Sequence, residues 1–214
     1  MPVFRLTQKL FFPPAQLAEP DGLLAIGGDL SAERLLLAYQ QGIFPWYDGP
    51  DILWWCPQPR FVLFPSELQV SKSMQQVIKR QVFDFTINQA FPQVISRCRT
   101  APRKDQPGTW ISGEVQAAYI RLHELGYAHS AEAWQNGELA GGLYGVQLGN
   151  VFFGESMFSQ VSNASKYAFI SYIKHLQEQG TALVDCQVYT AHLESLGARM
   201  IDRKDFLQLL EELI

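Results

Sequence analysis

The sequence predicts an α+β fold, with a mixed β-sheet and flanking helices behind a small loop-rich N-terminal domain. Eight of the twelve prolines lie within residues 1–60, and such a density of helix and strand breakers indicates loops. Beyond them, long stretches with helical spacing of apolar residues alternate with short strand-like stretches. Two turn signals, Asn136-Gly137 and Gly149-Asn150, separate three strand-like segments. We expect a small domain over residues 1–60 and a catalytic domain over 61–214.

One helix is predicted within the N-terminal domain. Ser31 is a favourable N-cap, Leu35 lies on the predicted inward side and Gly42 is a typical C-terminal stop. The stretch that follows, IFPWYDGPDILWWCPQPR (43–60), places three tryptophans between turn residues. We expect the small domain to end near Arg60.

The elements beyond residue 60 are longer and follow a recognisable order. Strands are predicted at 61–65, 83–88, 128–134, 138–148, 151–158, 182–189 and 198–202, and helices at 71–81, 90–98, 112–126, 163–180, 191–197 and the C-terminus. Three antiparallel strands, a long helix and a further strand require a mixed sheet covered by helices. This order resembles the acetyltransferase-like (GNAT) fold, in which the third meander strand and the strand after the long helix separate around the ligand.

The composition is that of a soluble globular protein. The chain has 214 residues, 47% of them hydrophobic, and a net charge of −4, which argues against a general nucleic-acid coat protein. No segment approaches the ~18 apolar residues of a membrane span. Arg5, Lys9 and Pro13 interrupt the apolar runs at the N-terminus, so we expect no signal peptide. We expect a cytoplasmic protein.

Cysteine and histidine spacings predict neither a disulfide framework nor a metal site. The cysteines Cys56, Cys98 and Cys186 are odd in number and form no CxxC pair. The four histidines show no HExxH or similar spacing.

One stretch, SRCRTAPRKDQPGTW, concentrates basic residues despite the negative net charge. Its cations are Arg97, Arg99, Arg103 and Lys104, offset only by Asp105. A basic stretch of this kind is consistent with a solvated loop or with phosphate binding.

Two carboxylates lie in the most strand-like segments of the chain. Glu155 is the centre of VFFGESMF and Asp185 the centre of ALVDCQVY. An unpaired carboxylate is costly to bury, and each of these could be satisfied by buried hydroxyls, amides or an arginine. By analogy with the acetyltransferase-like fold the two lie on adjacent strands, which favours a polar cleft with apolar walls. Strand periodicity directs Gln187 to the same face as Asp185 and Cys186 to the opposite face.

Several long blocks carry a resemblance to one family. They are GGDLSAERLLLAYQQGIFPW, WWCPQPR, TWISGEVQAAYIRLHELGYAHSAEAW, GGLYGV, FFGESMFS followed by NASK, and LVDCQV. In order and spacing, from about Gly22 to the end, the chain resembles the leucyl/phenylalanyl-tRNA–protein transferases. The resemblance departs at residues 189–192, which read Tyr-Thr-Ala-His where the family often has Asn-x-His.

The resemblance implies an aminoacyltransferase that marks proteins for degradation. It would move Leu, Phe or Met from aminoacyl-tRNA to the N-terminal Arg or Lys of a protein, as a monomer, without a metal or other cofactor. For the aminolysis that this activity requires, we assign Asp185, hydrogen-bonded to or relayed through Gln187, to orienting the attacking amine and taking its charge. Glu155 would hold the ammonium group of the aminoacyl donor or that of the acceptor side chain. The implied aminoacyl pocket consists of Trp46, Trp110, Leu143, Phe152, Met157 and Val184. A tRNA end would bind mainly through its phosphate charge, and the cations of this sequence that are candidates for that contact are Arg97, Arg99, Arg103, Lys104, Lys72, Lys79 and Arg80.

Two alternatives remain at this point. A CoA-dependent N-acyltransferase of the same fold would need a phosphate-cradling loop before the long helix, but the sequence there is SQVSNASK and lacks glycine. A non-catalytic module that binds RNA or protein N-termini would explain the basic stretch, but not the two buried carboxylates.

Overall fold

The computed structural model describes residues 3–101 and 109–214. The N-terminal part contains a four-stranded sheet of order β1-β2-β4-β3 and one helix. Its elements are β1 (Phe4–Leu6), β2 (Leu23–Gly27), α1 (Ala32–Gln40), β3 (Phe44–Pro45) and β4 (Leu53–Trp55). The predicted helix is confirmed, and the Ser31 side chain accepts a hydrogen bond from the backbone N–H of Arg34.

The sequence predicted loops where this small sheet lies. Its strands are only two to five residues long, too short to show a period-2 pattern. Prolines and tryptophans interrupt any alternation between apolar and polar residues. The sheet is nevertheless well packed, since Trp54 is fully buried with its ring edge-on to Phe12 at 4.8 Å.

The rest of the chain contains a seven-stranded mixed sheet of order β11-β5-β10-β9-β8-β7-β6. Its strands are β5 (Arg60–Leu63), β6 (Asp84–Ile87), β7 (Ala128–Gln135), β8 (Glu138–Leu148), β9 (Val151–Ser159), β10 (Leu183–Gln187) and β11 (Arg199–Ile201). The helices are α2 (Lys72–Lys79), α3 (Phe91–Thr100), α4 (Gly113–Glu124), α5 (Ala164–Glu178), α6 (Ala191–Glu194) and α7 (Arg203–Leu213).

The predicted α+β, acetyltransferase-like arrangement is confirmed by this topology. Strands β7, β8 and β9 form the expected antiparallel meander, and β10 returns after α5 to lie parallel to β9. Asn136 and Gly137 both have positive φ, 53° and 79°, as the predicted type I′ hairpin turn requires.

The two central strands separate, and their separation creates the site. Residues 183–185 of β10 pair with 151–153 of β9, and the pairing ends there although β9 continues to Ser159. Beyond this point the sheet has an opening between its two halves.

Side chains alternate between two cores, one on each face of the sheet. Leu183 belongs to the core that contains α1, α3, α4 and α7, whereas Val184 and Cys186 belong to the core that contains α2 and α5. The N-terminal sheet shares the first of these cores. No helix in the described part of the chain is long and apolar enough to cross a membrane.

Candidate active site

The opening between β9 and β10 contains a cavity of about 500 Å³. One wall comes from the N-terminal part of the chain, and the others come from both central strands and from the helices α5 and α6. The lining residues are Phe44, Pro45, Trp46, Trp110, Leu143, Tyr144, Gly154, Glu155, Ser156, Met157, Ser165, Phe169, Val184, Cys186, Gln187, Val188, Thr190, His192 and Leu193. The cavity is therefore mainly apolar, and Glu155 is the only carboxylate on its wall among the described residues.

The half-buried Glu155 receives hydrogen bonds from three different elements. Tyr39 of α1 donates to Oε1 at 2.6 Å, and Tyr119 of α4 donates to Oε2 at 3.1 Å. Gln187 of β10 donates its side-chain N–H to Oε1 at 2.9 Å. The two tyrosine hydroxyls also lie within hydrogen-bond distance of each other, but each has a single proton, so a hydrogen bond between them requires Glu155 to supply the third proton in its protonated form. The carboxylate is thus held in one orientation at the edge of the cavity.

Burial raises the pKa of Glu155 to about 7. The hydrogen bonds from Tyr39, Tyr119 and Gln187 act in the opposite direction, because they stabilise the charged form. The negative charge of Asp185 raises the pKa further. The result is a carboxyl group that exchanges a proton near neutral pH.

Asp185 lies on the same face of the sheet as Glu155, but its side chain is fully buried against Arg60. The Arg60 Nε donates to Oδ1 at 2.8 Å and Nη2 donates to Oδ2 at 2.6 Å, a bidentate pair in which both side chains are 0% exposed. Asp185 is not part of the cavity wall. Because both carboxylate oxygens accept from Arg60 and the side chain is fully buried, this geometry favours the relay through Gln187 over direct contact between Asp185 and an amine.

Gln187 reaches Glu155 through a bulge and not through regular alternation. The pairing of β10 with β5 shifts register between Asp185 and Gln187, and Gln187 adopts a left-handed conformation with φ of 63°. Its backbone N–H donates to Asp185 Oδ1 at 2.9 Å. Glu155, Gln187 and Asp185 are thus brought together as one connected group.

Five of the six residues predicted for the aminoacyl pocket line the cavity: Trp46, Trp110, Leu143, Met157 and Val184. Phe152 does not. It is fully buried behind the wall, where its ring packs edge-on against Tyr172 of α5 at 5.1 Å. Phe152 therefore supports the pocket without facing into it.

Several lining and supporting residues were not predicted. Cys186 belongs to the α5 core, as alternation predicts, yet it still lines the cavity because the opening passes through the sheet. Burial raises the pKa of its thiol strongly. Phe44 and Phe169 also line the cavity, but in the sequence they resemble ordinary core residues.

Within residues 189–192, where the sequence departs from the family pattern given above, Thr190 caps the short helix α6. The Thr190 hydroxyl accepts a hydrogen bond from the backbone N–H of Leu193 at 3.2 Å, as an N-cap of α6. Asparagine and threonine both serve this role. Thr190 and His192 line the cavity beside this short helix.

The predicted tRNA-binding residues that the structure describes lie on two separate helices. Lys72 and Lys79 lie on α2 and Arg80 caps it, whereas Arg97 and Arg99 lie on α3, and all five are exposed. These helices pack against opposite faces of the sheet. Arg103 and Lys104 fall outside the described residues.

The first turn of the long helix α5 is already occupied by protein groups. The backbone N–H of Ala164 donates to the Val161 carbonyl at 3.1 Å, and that of Ser165 donates to the Ser159 hydroxyl at 3.2 Å. These amides are the donors that a phosphate-binding helix would present to a ligand. Within residues 3–101 and 109–214, no three His, Cys, Asp or Glu side chains are grouped closely enough to hold a metal.

A mixed sheet that opens between parallel strands over a carboxylate and an apolar cavity defines a protein of acetyltransferase-like fold. Comparison with protein families is more specific. The family described as leucyl/phenylalanyl-tRNA protein transferase matches residues 62–211, and its N-terminal domain matches 28–58. The chain belongs to this family.

Individual relatives agree with this assignment. The leucyl/phenylalanyl-tRNA–protein transferase of Syntrophobacter fumaroxidans is 59% identical over 213 residues, which cover 99% of this chain and 91% of the relative. The protein of the same name from Flavobacterium johnsoniae is 54% identical over 210 residues, which cover 98% of this chain and 99% of the relative.

Solved structures show only a distant likeness. L-PGS from Bacillus licheniformis has a TM-score of 0.43 and 13% identity, covering 78% of this chain and 54% of that one. A GCN5-related N-acetyltransferase from Kribbella flavida has a TM-score of 0.42 and 9% identity, and the match covers 77% of this chain and 59% of that one. The fold assignment above rests on strand order and not on these likenesses.

Proposed function

We propose that this chain transfers leucine, phenylalanine or methionine from aminoacyl-tRNA to the N-terminal Arg or Lys of a protein, marking that protein for degradation. The observation that supports this most directly is the position of Glu155. It is a carboxylate with a pKa of about 7, held at the edge of an apolar cavity large enough for an amino-acid side chain. In this proposal the protein works as a cytoplasmic monomer.

The chemistry is the aminolysis of an ester. The acceptor nitrogen attacks the ester carbonyl, the C–O bond to the tRNA ribose breaks, and the ribose oxygen takes up a proton. Because the ester is already activated, the protein has to position the substrates, accept a proton from the amine and exclude water. An α-amino group has a pKa of ~7.7–8.0, so Glu155 is well matched to accept its proton.

The apolar residues of the cavity provide the place for the donor side chain. Trp46, Trp110, Leu143, Met157 and Val184 present apolar side chains to this space. Methionine is flexible and polarizable, so Met157 suits a pocket that accepts both leucine and the larger phenylalanine.

The remaining polar residues position Glu155. Gln187 donates to the carboxylate and lines the cavity, so it lies next to the reacting groups. Asp185 acts one step further away, by holding the Gln187 backbone. In this proposal Asp185 is a positioning residue and not the base.

The exposed cations bind the phosphates of the tRNA. Arg97 and Arg99, with Arg103 and Lys104 next to them in the sequence, contact one part of the tRNA, and the α2 residues Lys72, Lys79 and Arg80 contact another. Lys and Arg side chains on a surface supply sequence-independent affinity that falls with salt.

The alternative of a CoA-dependent acyltransferase is less well supported. Such an enzyme needs free backbone donors before or at the start of the long helix. Here the amides of Ala164 and Ser165 already donate to other residues of the chain. A non-catalytic binding module gives no reason for a carboxyl group poised near neutral pH.

A transfer assay tests the proposal. The protein is incubated with radiolabelled leucyl-tRNA and a peptide that begins with Arg, and the labelled product is separated by chromatography. A matched peptide beginning with Ala and a parallel reaction with labelled acetyl-CoA are the controls. We expect label only on the Arg peptide from leucyl-tRNA. Absence of that product, or acetylation in its place, would contradict the proposal.

A further inference from the structure

Arg60 is a fully buried cation to which the reaction above assigns no role. It is the first residue of β5, and its guanidinium Cζ lies 4.8 Å from the centre of the Phe44 ring and 4.5 Å from that of Phe206. Arginine is rarely buried so completely unless it is paired, because desolvating a charge is costly. The pair it forms therefore indicates what this residue does.

The pair with Asp185 fixes the plane of the carboxylate. The two parallel hydrogen bonds, at 2.8 and 2.6 Å, match the fork of the guanidinium to both oxygens of Asp185. The stacked rings of Phe44 and Phe206 restrict the guanidinium plane in turn. A lysine would keep the charge but could not reproduce the two-point contact.

The fixed carboxylate then determines the backbone of Gln187. Oδ1 of Asp185 accepts the Gln187 N–H at 2.9 Å, at the bulge where Gln187 has a φ of 63°. A non-glycine residue in this conformation is strained and persists only where its surroundings hold it. The same conformation brings the side-chain amide within 2.9 Å of Glu155.

We infer that Arg60 is a positioning residue for aminoacyl transfer, a conclusion that rests on the function proposed above. It fixes Asp185, Asp185 holds the bulge at Gln187, and the bulge presents the Gln187 amide to Glu155. The aromatic residues around Arg60 come from β3 in the N-terminal part of the chain and from the C-terminal helix α7. Both of these elements therefore support the geometry of the site.

The alternative is that the ion pair only stabilises the fold, and two variants separate these possibilities. Arg60→Lys keeps the positive charge and removes the fork. Arg60→Met combined with Asp185→Leu removes both charges together, a change that buried pairs often tolerate without loss of stability. Both variants are examined for single-turnover transfer at saturating leucyl-tRNA, with thermal melts to measure folding.

We expect each folded variant to lose about 10²-fold in single-turnover rate, the order of loss produced by a displacement of ~1 Å in a reacting group. Arg34→Met is the matched control. Arg34 is 1% exposed and pairs with Asp29 at 3.2 Å, but it is not in the cavity wall. This control should lose stability and keep its rate per folded molecule.

A pH profile of the Arg60→Lys variant provides a second readout, which a purely stabilising pair would leave unchanged. Glu155 faces Tyr39 of α1, Tyr119 of α4, Gln187 and Asp185 of β10, and the charge of Arg60 itself. Lysine retains that charge, so loss of the Gln187 hydrogen bond is the main change and raises the pKa of Glu155. The midpoint of the rate profile should therefore move to higher pH.

A folded Arg60→Lys variant with the native rate and native midpoint would overturn the inference. If the lysine variant fails to fold, the apolar double variant decides, and full transfer by that variant would equally overturn it. A native protein that transfers no leucine would instead overturn the proposed function. The native reaction run beside each variant therefore distinguishes the two failures.

Discussion

At the scale of single residues, opposing forces act on Glu155. Burial favours its protonated form, and three hydrogen bonds favour its charged form. Because burial prevails, the group changes charge near pH 7 instead of near its ordinary value of 4.5. The same tyrosines that orient the carboxylate have pKa values well above their ordinary value, owing to burial and to the charge of Glu155, so they remain hydrogen-bond donors.

The first prediction concerns the activity of Glu155→Gln. The ionised carboxylate accepts the proton, so the native single-turnover rate should fall as pH decreases below about 7. The variant should be slower by ~10²–10⁴-fold at pH 8, the usual contribution of a positioned base, and should lose this acidic limb. Glu138→Gln, on an exposed residue of β8, is the control. A variant with the native rate and profile would contradict the assignment.

The second prediction concerns stability, and its sign follows from linkage. The folded-state pKa of Glu155 lies above its ordinary value, so between about pH 4.5 and 7 the native state binds more protons than the unfolded state. The contribution of this group to stability therefore falls as pH rises through that window. As the pH rises from 5 to 8, the free energy of unfolding of Glu155→Gln should therefore increase relative to that of the native protein. Urea titrations at the two pH values measure this, and an unchanged difference would refute it.

At the scale of elements, the meander has no room for a side chain at Gly145. Gly145 of β8 lies opposite Gly154 of β9 at a register shift, one residue before Glu155. A Cβ on Gly145 would lie 2.2 Å from the Phe153 carbonyl oxygen and 2.5 Å from the Phe152 ring. Neither neighbour can move away easily, because both are fully buried in β9.

We therefore expect Gly145→Ala to destabilise the protein by about 3 kcal/mol, the upper part of the range for overpacked cores. Gly113→Ala is a matched control at the start of α4, where an added Cβ meets nothing within 4 Å. It should be neutral or stabilise by ~0.4–1 kcal/mol. Denaturant titration measures both, and similar stability of the two variants would show that the strands can separate to admit a methyl group.

Two helices carry exposed cations on opposite faces of the sheet, and their roles can be tested separately. Replacing Arg97 and Arg99 on α3 with glutamine, or Lys72 and Lys79 on α2, should raise the apparent KM for leucyl-tRNA and reduce its salt dependence. Leucyl-adenosine lacks the tRNA phosphates and should be transferred at the native rate by both variants. Equal losses on both substrates would mean that the helices serve the fold and not the tRNA.

At the scale of the whole molecule, the N-terminal part and the larger sheet share one core. That core joins Trp54 and Leu35 of the first part to Tyr119 and Phe206 of the second. The hydrogen bond from Tyr39 to Glu155 also crosses between them. A division of the chain near Arg60, which we propose on the basis of the sequence, would therefore separate two parts that depend on each other.

This sharing predicts a single cooperative unfolding transition. Tryptophan fluorescence reports largely on the N-terminal part, which holds three of the five tryptophans, and far-UV circular dichroism reports on the whole chain. The two signals should change together in urea. Two separate transitions would show that the N-terminal part folds independently.

The sequence predicted most helices and strands after residue 60, because these depend on local periodicity. It did not predict the partners of the two carboxylates, because those contacts depend on tertiary structure. Helices and strands after residue 60 follow local periodicity, and the carboxylates of Glu155 and Asp185 were conspicuous because they interrupt apolar strands. Their partners depend on tertiary structure, since Tyr39 lies 116 positions from Glu155 and Arg60 lies 125 from Asp185. The need of a buried carboxylate for donors was the only available signal for these contacts.

The opening between β9 and β10 also bears on the order of kinetic events. Its wall includes residues from both faces of the sheet, Trp110 on one side and Phe169 on the other, and we expect donor and acceptor to occupy it together. Burial keeps the Cys186 thiol protonated at neutral pH, which disfavours an acyl-enzyme on that residue. Double-reciprocal plots at several fixed peptide concentrations should therefore intersect, as in a ternary-complex mechanism, whereas parallel lines would indicate a covalent intermediate.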